Sequence, residues 1–266
     1  ITDTMRKIII YIILTICSVN HGYGIDGGTR VNIIYIGNSI TYGVRLEDRP
    51  LNSPAAKCSG FLKECFDSIR SSNCAISGRT TLDFLPPEGK NLQKVIESAD
   101  EFSKDSALMI FSIKLGTNDS AVFGPNGSPV APELYNKNLE NIICFLLDKY
   151  PQSKVITHYP IWYSPNTHNR SKYMEEGLLR LQSYFPEIDA VVDKLKDKYT
   201  YRLYVGDRDA FGYFREHYMD LLAPENGRHG IFYLHPNLNG AEVLGHFWAK
   251  AICEVISNTS KNNLKR

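Results

Sequence analysis

Apolar runs of strand length alternate along the chain with longer segments whose apolar residues recur every three or four positions. Residues 31–36 (VNIIYI), 107–115 and 154–158 are mostly apolar and predict buried strands, with shorter strands at 73–76 and 201–205. The three-to-four spacing predicts helices over residues 56–69, 92–102, 134–149, 172–185, 188–198 and 238–256.

Strands that are apolar along their whole length are typical of a parallel sheet covered on both faces by helices. The alternation therefore predicts one α/β domain over residues 29–260, a three-layer α/β/α sandwich with a mostly parallel, flavodoxin-like central sheet. Ligands of such sheets bind at the carboxyl ends of the strands. Candidate functional residues are therefore expected directly after the strands.

Charge excludes one class of partner. The chain has 266 residues, and its 30 Lys and Arg residues nearly balance 29 Asp and Glu residues, giving a formal net charge of +1. No block of basic residues stands out, and a nucleic-acid-binding protein normally needs such a patch for phosphate contacts. We therefore expect no nucleic-acid partner.

The N-terminal segment has the pattern of a secretory signal peptide. Met5 is followed by Arg6 and Lys7, then by an apolar stretch from 8 to 17 and a more polar one from 18 to 21. Such a stretch is short for a bilayer span, so residues 5–24 predict a cleaved signal, a secreted or periplasmic protein and no stable membrane span after cleavage. A membrane anchor, a buried first helix or a lipid-modified Cys17 are the alternatives.

The cysteines of the mature chain predict neither a disulfide framework nor a zinc knuckle, because their number is odd and no CxxC pair occurs. Two of them, Cys58 and Cys65, would lie about 10 Å apart along one helix, too far to bond. We therefore expect buried free thiols at Cys58, Cys65, Cys74, Cys144 and Cys253.

Small polar clusters follow the predicted strands. The first strand ends in Gly37-Asn38-Ser39 and the second in Gly116-Thr117-Asn118-Asp119. Parallel strands side by side would bring Ser39 and Asn118 to the same edge of the sheet. Gly78 follows the short strand between them, and His235 precedes the last helix. Taken singly, each has a purely structural explanation. Ser39 could cap a helix, Gly78 could be a turn glycine, and His235 could support the last helix. Asn118 and Asp119 could be a turn pair or, with Ser120, a glycosylation sequon.

Together, and in this order, the segments IGNSITYG, IKLGTNDS and FYLHPN resemble the sequence blocks of the SGNH (GDSL) hydrolases. Within that superfamily they are similar to bacterial esterases that remove acetyl groups from sugars and glycans. The resemblance implies Ser39 as nucleophile and His235 as general base. It also implies an oxyanion hole made by the amides of Ser39 and Gly78 and the side chain of Asn118, with no metal or organic cofactor.

The chemistry gives independent reasons for these residue types. A serine hydroxyl is a weak nucleophile unless a base takes its proton, and imidazole titrates in the right range. Fixed hydrogen-bond donors must meet the oxyanion of the tetrahedral intermediate. The amide of a glycine has no side chain to shield it, and the NH2 of an asparagine donates without carrying charge.

Two positions depart from the family pattern. Asn38 stands where aspartate is commoner, which changes little. More seriously, Phe232 stands three residues before the histidine, where the family places its acid. Asp207 is favoured as a substitute because it follows the strand at 201–205, and a Ser–His dyad supported by a backbone carbonyl is the main alternative. The other candidate carboxylates between that strand and His235 are Asp209, Asp220 and Glu225. Asp220 and Glu225 lie in a loop that could fold back over the histidine, and Glu225 has the longer reach.

The resemblance, together with these residues, implies a serine esterase that cleaves short-chain esters, in particular O-acetyl groups on a carbohydrate. The polar, aromatic stretch from 162 to 168 suits a sugar better than a lipid tail, so Trp162 and His168 are candidate pocket residues. His158 is expected to be a packed core histidine. The rival functions are a lysophospholipase or thioesterase of the same fold, and a catalytically inactive glycan-binding protein.

Overall fold

Five parallel strands form the central sheet, in the order β2-β1-β3-β4-β5. The structure is a computed structural model that describes residues 29–263, and the side chains of 29–257. The predicted signal peptide, with Cys17, lies outside the described residues. The strands of the sheet are β1 (Arg30–Gly37), β2 (Ser68–Asn73), β3 (Leu108–Lys114), β4 (Lys154–Thr157) and β5 (Leu203–Val205).

Helices cover both faces of this sheet. Helix α3 packs against α9, and α5 packs against α6. Right-handed crossovers place α3 on one face and α4, α5 and α6 on the other. This arrangement confirms the predicted three-layer sandwich. The helices are α1 (Ser39–Tyr42), α2 (Arg49–Asn52), α3 (Pro54–Leu62), α4 (Leu92–Phe102), α5 (Pro132–Lys149), α6 (Met174–Leu195), α7 (Ala210–Glu216), α8 (Tyr218–Leu221) and α9 (Leu238–Asn263), with a 3-10 turn at Thr81–Phe84.

The direction of winding reverses at β1. Strand β2 lies on one side of it and β3 on the other, and the register pairs Gly37 with Lys114. The backbone of the β2 side continues the ladder past the strand end, because the amide of Ile76 donates to the carbonyl of Gly37 at 3.2 Å. A switch point of this kind is where open α/β sheets bind ligands. The polar clusters after these strands therefore meet at one edge.

Four predicted elements differ clearly from the structure. The predicted helix 56–69 is shorter, and its last residues begin β2, whose polar sequence SIRSSN suits a half-exposed edge strand. The predicted strand 73–76 only continues that ladder. The predicted helices 172–185 and 188–198 form one helix, α6, which runs through Pro186. Its buried stripe continues across the proline, so packing outweighs the about 3 kcal/mol by which a proline destabilises a helix interior.

A two-stranded antiparallel hairpin follows the sheet and has no counterpart in the sequence prediction. It pairs β6 (Leu222–Gly227) with β7 (Gly230–Pro236). The sequence of β6, LAPENG, contains proline and glycine and does not alternate, so its pattern is typical of a loop. The hairpin matters because its second strand carries His235.

The expectation of free thiols is wrong for two cysteines. Cys65 follows α3, Cys253 lies in α9, and the two form a disulfide with their Cα atoms 6.2 Å apart. The pair is 188 residues apart in the chain, so only the packing of α3 on α9 brings them together. Cys58 and Cys74 are buried free thiols, and Cys144 is a half-buried one.

None of the helices described between residues 29 and 263 is both long enough and apolar enough to cross a membrane.

The disulfide gives a stability prediction. Replacing both partners, Cys65→Ala with Cys253→Ala, is expected to lower the free energy of unfolding by about 2–5 kcal/mol, because the crosslink restricts the unfolded chain. Denaturant unfolding with and without reductant measures the loss, and Cys144→Ala is the control that should keep its sensitivity to reductant. A wild-type midpoint that reductant leaves unchanged would contradict the crosslink.

Candidate active site

Ser39 lies in a tight turn between β1 and α1. A Cβ atom on Gly37 would lie 2.2 Å from Oγ1 of Thr41, so glycine lets the helix start directly behind the strand. Asn38 caps this helix, its side-chain oxygen accepting the amide hydrogen of Ile40 at 3.2 Å. Ser39 is therefore the first helical residue, where a backbone N–H has no acceptor within the helix. That amide is left for a ligand.

His235 reaches this turn from the end of β7. Its Nε2 lies 3.0 Å from Oγ of Ser39, and its Nδ1 lies 2.7 Å from Oε1 of Glu225. An ionised carboxylate only accepts, so Nδ1–H donates to Glu225 and Nε2 accepts the serine hydroxyl hydrogen. Only 7% of His235 and 9% of Glu225 is exposed, so water competes little for these bonds. The arrangement is a serine, a base and an acid in one hydrogen-bonded chain.

The expectation that Asp207 supports the histidine is wrong. Both ring nitrogens of His235 are already engaged, one by Ser39 and one by Glu225. The Oδ1 atom of Asp207 instead accepts the amides of Asp209 at 3.0 Å and Ala210 at 3.2 Å, in the turn that leads into α7. The alternative of a dyad held by a backbone carbonyl fails for the same reason.

The pairing of the hairpin explains why the acid does not lie at position 232, three residues before the histidine. In the hairpin, Glu225 on β6 pairs directly with Phe232 on β7. Phe232 is 1% exposed and fills a core position, while the carboxylate comes from the opposite strand. The sequence signal for this exchange is an acidic residue in a segment that can pair with the strand of the histidine.

Arg45 holds the second oxygen of the acid. Its Nε lies 3.5 Å from Oε2 of Glu225, and its side chain is half exposed. Arg45 has a φ of 74°, a conformation that costs a non-glycine residue energy. The preceding amide, that of Val44, donates to the carbonyl of Ser39 at 3.0 Å. The loop of the nucleophile therefore also contacts the acid.

Gly78 and Asn118 lie beside the nucleophile turn. Gly78 is exposed with a φ of 78°, and an added Cβ would meet nothing within 4 Å, so its backbone faces open space. Nδ2 of Asn118 donates to the carbonyl of Arg79 at 2.8 Å, while its Oδ1 accepts the hydroxyl of Tyr173 at 2.7 Å. These bonds fix the amide orientation and leave one N–H of Asn118 for a further acceptor.

Asp119 joins the loops that carry these two residues, a role that sequence reasoning missed. Its Oδ1 accepts the amide and the hydroxyl of Thr81 at 2.8 and 2.5 Å, and its Oδ2 accepts the amide of Gly116 at 3.2 Å. Burial raises the pKa of Asp119 to about 6, and the hydrogen bonds from Thr81 partly offset the shift. The only sequence signal is its place beside Asn118.

A buried polar cluster lies beneath this edge of the sheet. His158 contacts Oγ of Ser112 at 3.1 Å and accepts the amide of Asp207 at 3.0 Å, which confirms it as a packed core residue. Burial, and then the charge of Lys114, lowers the pKa of His158 to about 3. Burial also lowers the pKa of Lys114 to about 7, against the attraction of Asp207.

The two candidate pocket residues have different surroundings. Trp162 is 8% exposed and packs against Tyr218 with ring centroids 5.2 Å apart, so its face is not free for a sugar. His168 is half-buried on a surface loop, 5.1 Å from the ring of His229. Among residues 29–263, no group of three or more His, Cys, Asp or Glu side chains is placed to hold a metal ion.

Fold and site together place a serine, a histidine and an acid at the switch point of a parallel α/β sheet. Residues 35–243 match the model of the GDSL-like lipase/acylhydrolase family, and the chain belongs to this family. It is therefore a carboxylic ester hydrolase of the SGNH/GDSL type.

Solved structures share the fold at low sequence identity. An aryl esterase of M. smegmatis is 16% identical, with a TM-score of 0.57 over 84% of this chain and 99% of its own. A carbohydrate acetylesterase from Sinorhizobium meliloti is 17% identical, with a TM-score of 0.55 over 86% and 99%. A lipase/acylhydrolase from Enterococcus faecalis is 18% identical, with a TM-score of 0.55 over 85% and 96%. A search of curated proteins finds no match.

The contact between Glu225 and His235 gives a direct test of the acid. Glu225→Gln is expected to lower kcat at least a hundredfold, because the amide stabilises neither the required tautomer nor the imidazolium. Steady-state kinetics on an aryl acetate measure the effect. Asp209→Asn, an exposed carboxylate of the same region, is the matched control and should stay within about twofold, as surface changes usually do. Near-normal kcat in Glu225→Gln would remove Glu225 from the mechanism.

Proposed function

We propose that this protein hydrolyses short-chain esters, most specifically O-acetyl groups on carbohydrates, through an acyl-enzyme on Ser39. The observation that carries the proposal is the hydrogen-bonded chain from Ser39 through His235 to Glu225. A chain of this kind activates a serine, since the base removes the hydroxyl proton and the acid stabilises the resulting imidazolium.

The acylation half of the reaction follows from the positions of these groups. Oγ of Ser39 attacks the ester carbonyl carbon while its proton moves to Nε2 of His235. The amides of Ser39 and Gly78 and the free N–H of Asn118 donate to the oxyanion of the tetrahedral intermediate. The C–O bond to the alcohol then breaks, and the alcohol oxygen takes the proton from His235.

The deacylation half restores the enzyme. A water molecule attacks the acyl carbon and gives its proton to His235, and the same donors stabilise the second tetrahedral intermediate. The bond to Oγ breaks, Ser39 recovers its proton and the carboxylic acid leaves. Each half uses the same base and the same donors, so no further group is needed.

The polar surroundings of the site favour a short acyl group. Arg45 contacts the acid at its exposed side, and Arg79, partly exposed, follows Gly78 directly. A long acyl chain would need apolar side chains at these positions to gain from burial. The carbohydrate acetylesterase among the structural neighbours agrees with this substrate class. The lysophospholipase or thioesterase alternative is less compatible with these charges.

The disulfide supports a location outside the cytosol. Disulfides persist in oxidising compartments and are rare in the cytosol. Together with the signal-like pattern at 5–24, the bond between Cys65 and Cys253 favours a secreted or periplasmic protein.

Chain-length preference tests the proposed function. We expect kcat/KM for 4-nitrophenyl acetate to exceed that for 4-nitrophenyl octanoate by about tenfold or more, because the charged rim offers no apolar burial to a longer chain. Ser39→Ala is the control and should keep its fold but less than about a hundredth of the activity. Faster cleavage of the octanoate would favour the lipid-directed alternative. Binding of an acetylated glycan without turnover would favour an inactive glycan-binding protein.

A further inference from the structure

Three surface loops beside the active site are joined edge to edge through their backbones. After β3, the amide of Phe123 donates to the carbonyl of Lys172 at 3.1 Å, and the amide of Lys172 donates to the carbonyl of Phe123 at 2.9 Å. Lys172 also bridges to His168 within its own loop, and the carbonyl of His168 accepts the amide of Arg228 at 2.8 Å. We call the surface formed by Phe123, His168, Lys172, Arg228 and His229 the basic platform.

Both ends of the basic platform are attached to residues of the active site. Lys172 precedes Tyr173, whose hydroxyl donates to Oδ1 of Asn118 at 2.7 Å. Arg228 follows β6, the strand that carries Glu225. Short, hydrogen-bonded segments therefore connect the platform to the oxyanion donors on one side and to the acid on the other. A polymer whose ester lies at Ser39 would extend over one of these two sides.

The platform carries cations that have no acidic partner. Lys172 and Arg228 are both exposed, and neither forms an ion pair with a carboxylate in the described part of the chain. His168 and His229 lie between them, with ring centroids 5.1 Å apart. Burial first, and then the charges of Arg228, His229 and Lys172, lower the pKa of His168. Such a cluster attracts an anion.

An exposed aromatic ring borders these cations. Phe123 is 69% exposed, although a large apolar side chain gains by being covered. Its backbone is held by Lys172, so the ring and the ammonium group belong to adjacent positions of one two-stranded contact. An aromatic face beside a cation suits a ligand with an apolar face and a negative group. A sugar ring that bears a carboxylate has both.

We propose that the basic platform is a subsite for a carboxylate-bearing sugar unit, so that the substrate is an O-acetylated acidic polysaccharide. The inference rests on the proposed function for the ester that is cleaved, and it adds the charge of the polymer around that ester. Lys172 and Arg228 bind the carboxylate, and Phe123 covers the apolar face of the ring.

The test compares a polymer with a small ester in the same enzyme. The quantity measured is the kcat/KM for O-acetylated polygalacturonate divided by that for 4-nitrophenyl acetate. In the double variant Lys172→Gln with Arg228→Gln this ratio is expected to fall about tenfold or more, because two charge-assisted contacts are lost. The loss should appear mainly in KM. The charge-preserving variant Lys172→Arg with Arg228→Lys should keep most of the ratio.

A matched control removes the same charge elsewhere. Lys104 and Lys198 are exposed and lie in the turns that lead into β3 and β5, at the opposite edge of the sheet. Lys104→Gln with Lys198→Gln should leave the ratio within about twofold, since their surface ion pairs contribute little. An equal fall in this control would show that net charge alone is responsible and would overturn the subsite.

Binding separates this inference from the proposed function. The Ser39→Ala protein should bind deacetylated polygalacturonate in calorimetry, more weakly with added salt, and more weakly again with the double Gln change or Phe123→Ala. If the wild type hydrolyses no ester but this binding pattern holds, the proposed function fails and the subsite stands. Equal kcat/KM on acetylated neutral xylan, or equal binding of a sulfated glycan, would overturn the carboxylate-bearing sugar.

Discussion

The hydrogen bond of 2.7 Å between Glu225 and Nδ1 of His235 fixes the geometry on which the rest of the site depends. It selects the tautomer in which Nε2 is free to accept from Ser39, and it supplies a negative charge next to the ring, which becomes cationic in the proposed mechanism. Because the acid lies on a hairpin outside the central sheet, the hairpin must keep a fixed position relative to β1. The contact of Arg45 with Glu225, from the loop of the nucleophile, connects these two parts of the molecule.

A second constraint holds together the two loops beside the nucleophile turn. Asp119 is fully buried, and its two carboxylate oxygens bind the loops that carry Asn118 and Gly78. A buried carboxylate is costly unless its oxygens are paired, and here three hydrogen bonds meet that need. The nucleophile turn is built differently, from the close approach that Gly37 permits and the cap that Asn38 provides. The site is therefore held in place both by local turn geometry and by buried hydrogen bonds.

Local patterns were sufficient to predict four of the five strands of the central sheet, all except β2, and the residues grouped at its carboxyl edge. Strands β1 and β3 are almost continuously apolar and end in small polar residues, so Ser39 and Asn118 could be named from the sequence. The acid could only be narrowed to four carboxylates, because its position depends on the register of a hairpin whose first strand contains Pro224 and Gly227.

Long-range packing set the other limits of prediction. The disulfide joins residues 188 positions apart, and no local spacing encodes such a contact. The continuity of α6 across Pro186 depends on a buried face that packs against α5 and β5. In each case the deciding interaction lies between elements that are distant in the chain.

The central claim is that Glu225 and His235 activate Ser39 as a nucleophile. Covalent labelling with an alkyl fluorophosphonate, which phosphonylates an activated serine, tests it without assuming a substrate. Peptide mass spectrometry should find one equivalent of label on Ser39, formed at least about a hundredfold more slowly in the Glu225→Gln protein. Label on another residue, or labelling of Ser39 at the same rate without the Glu225 carboxylate, would contradict the account.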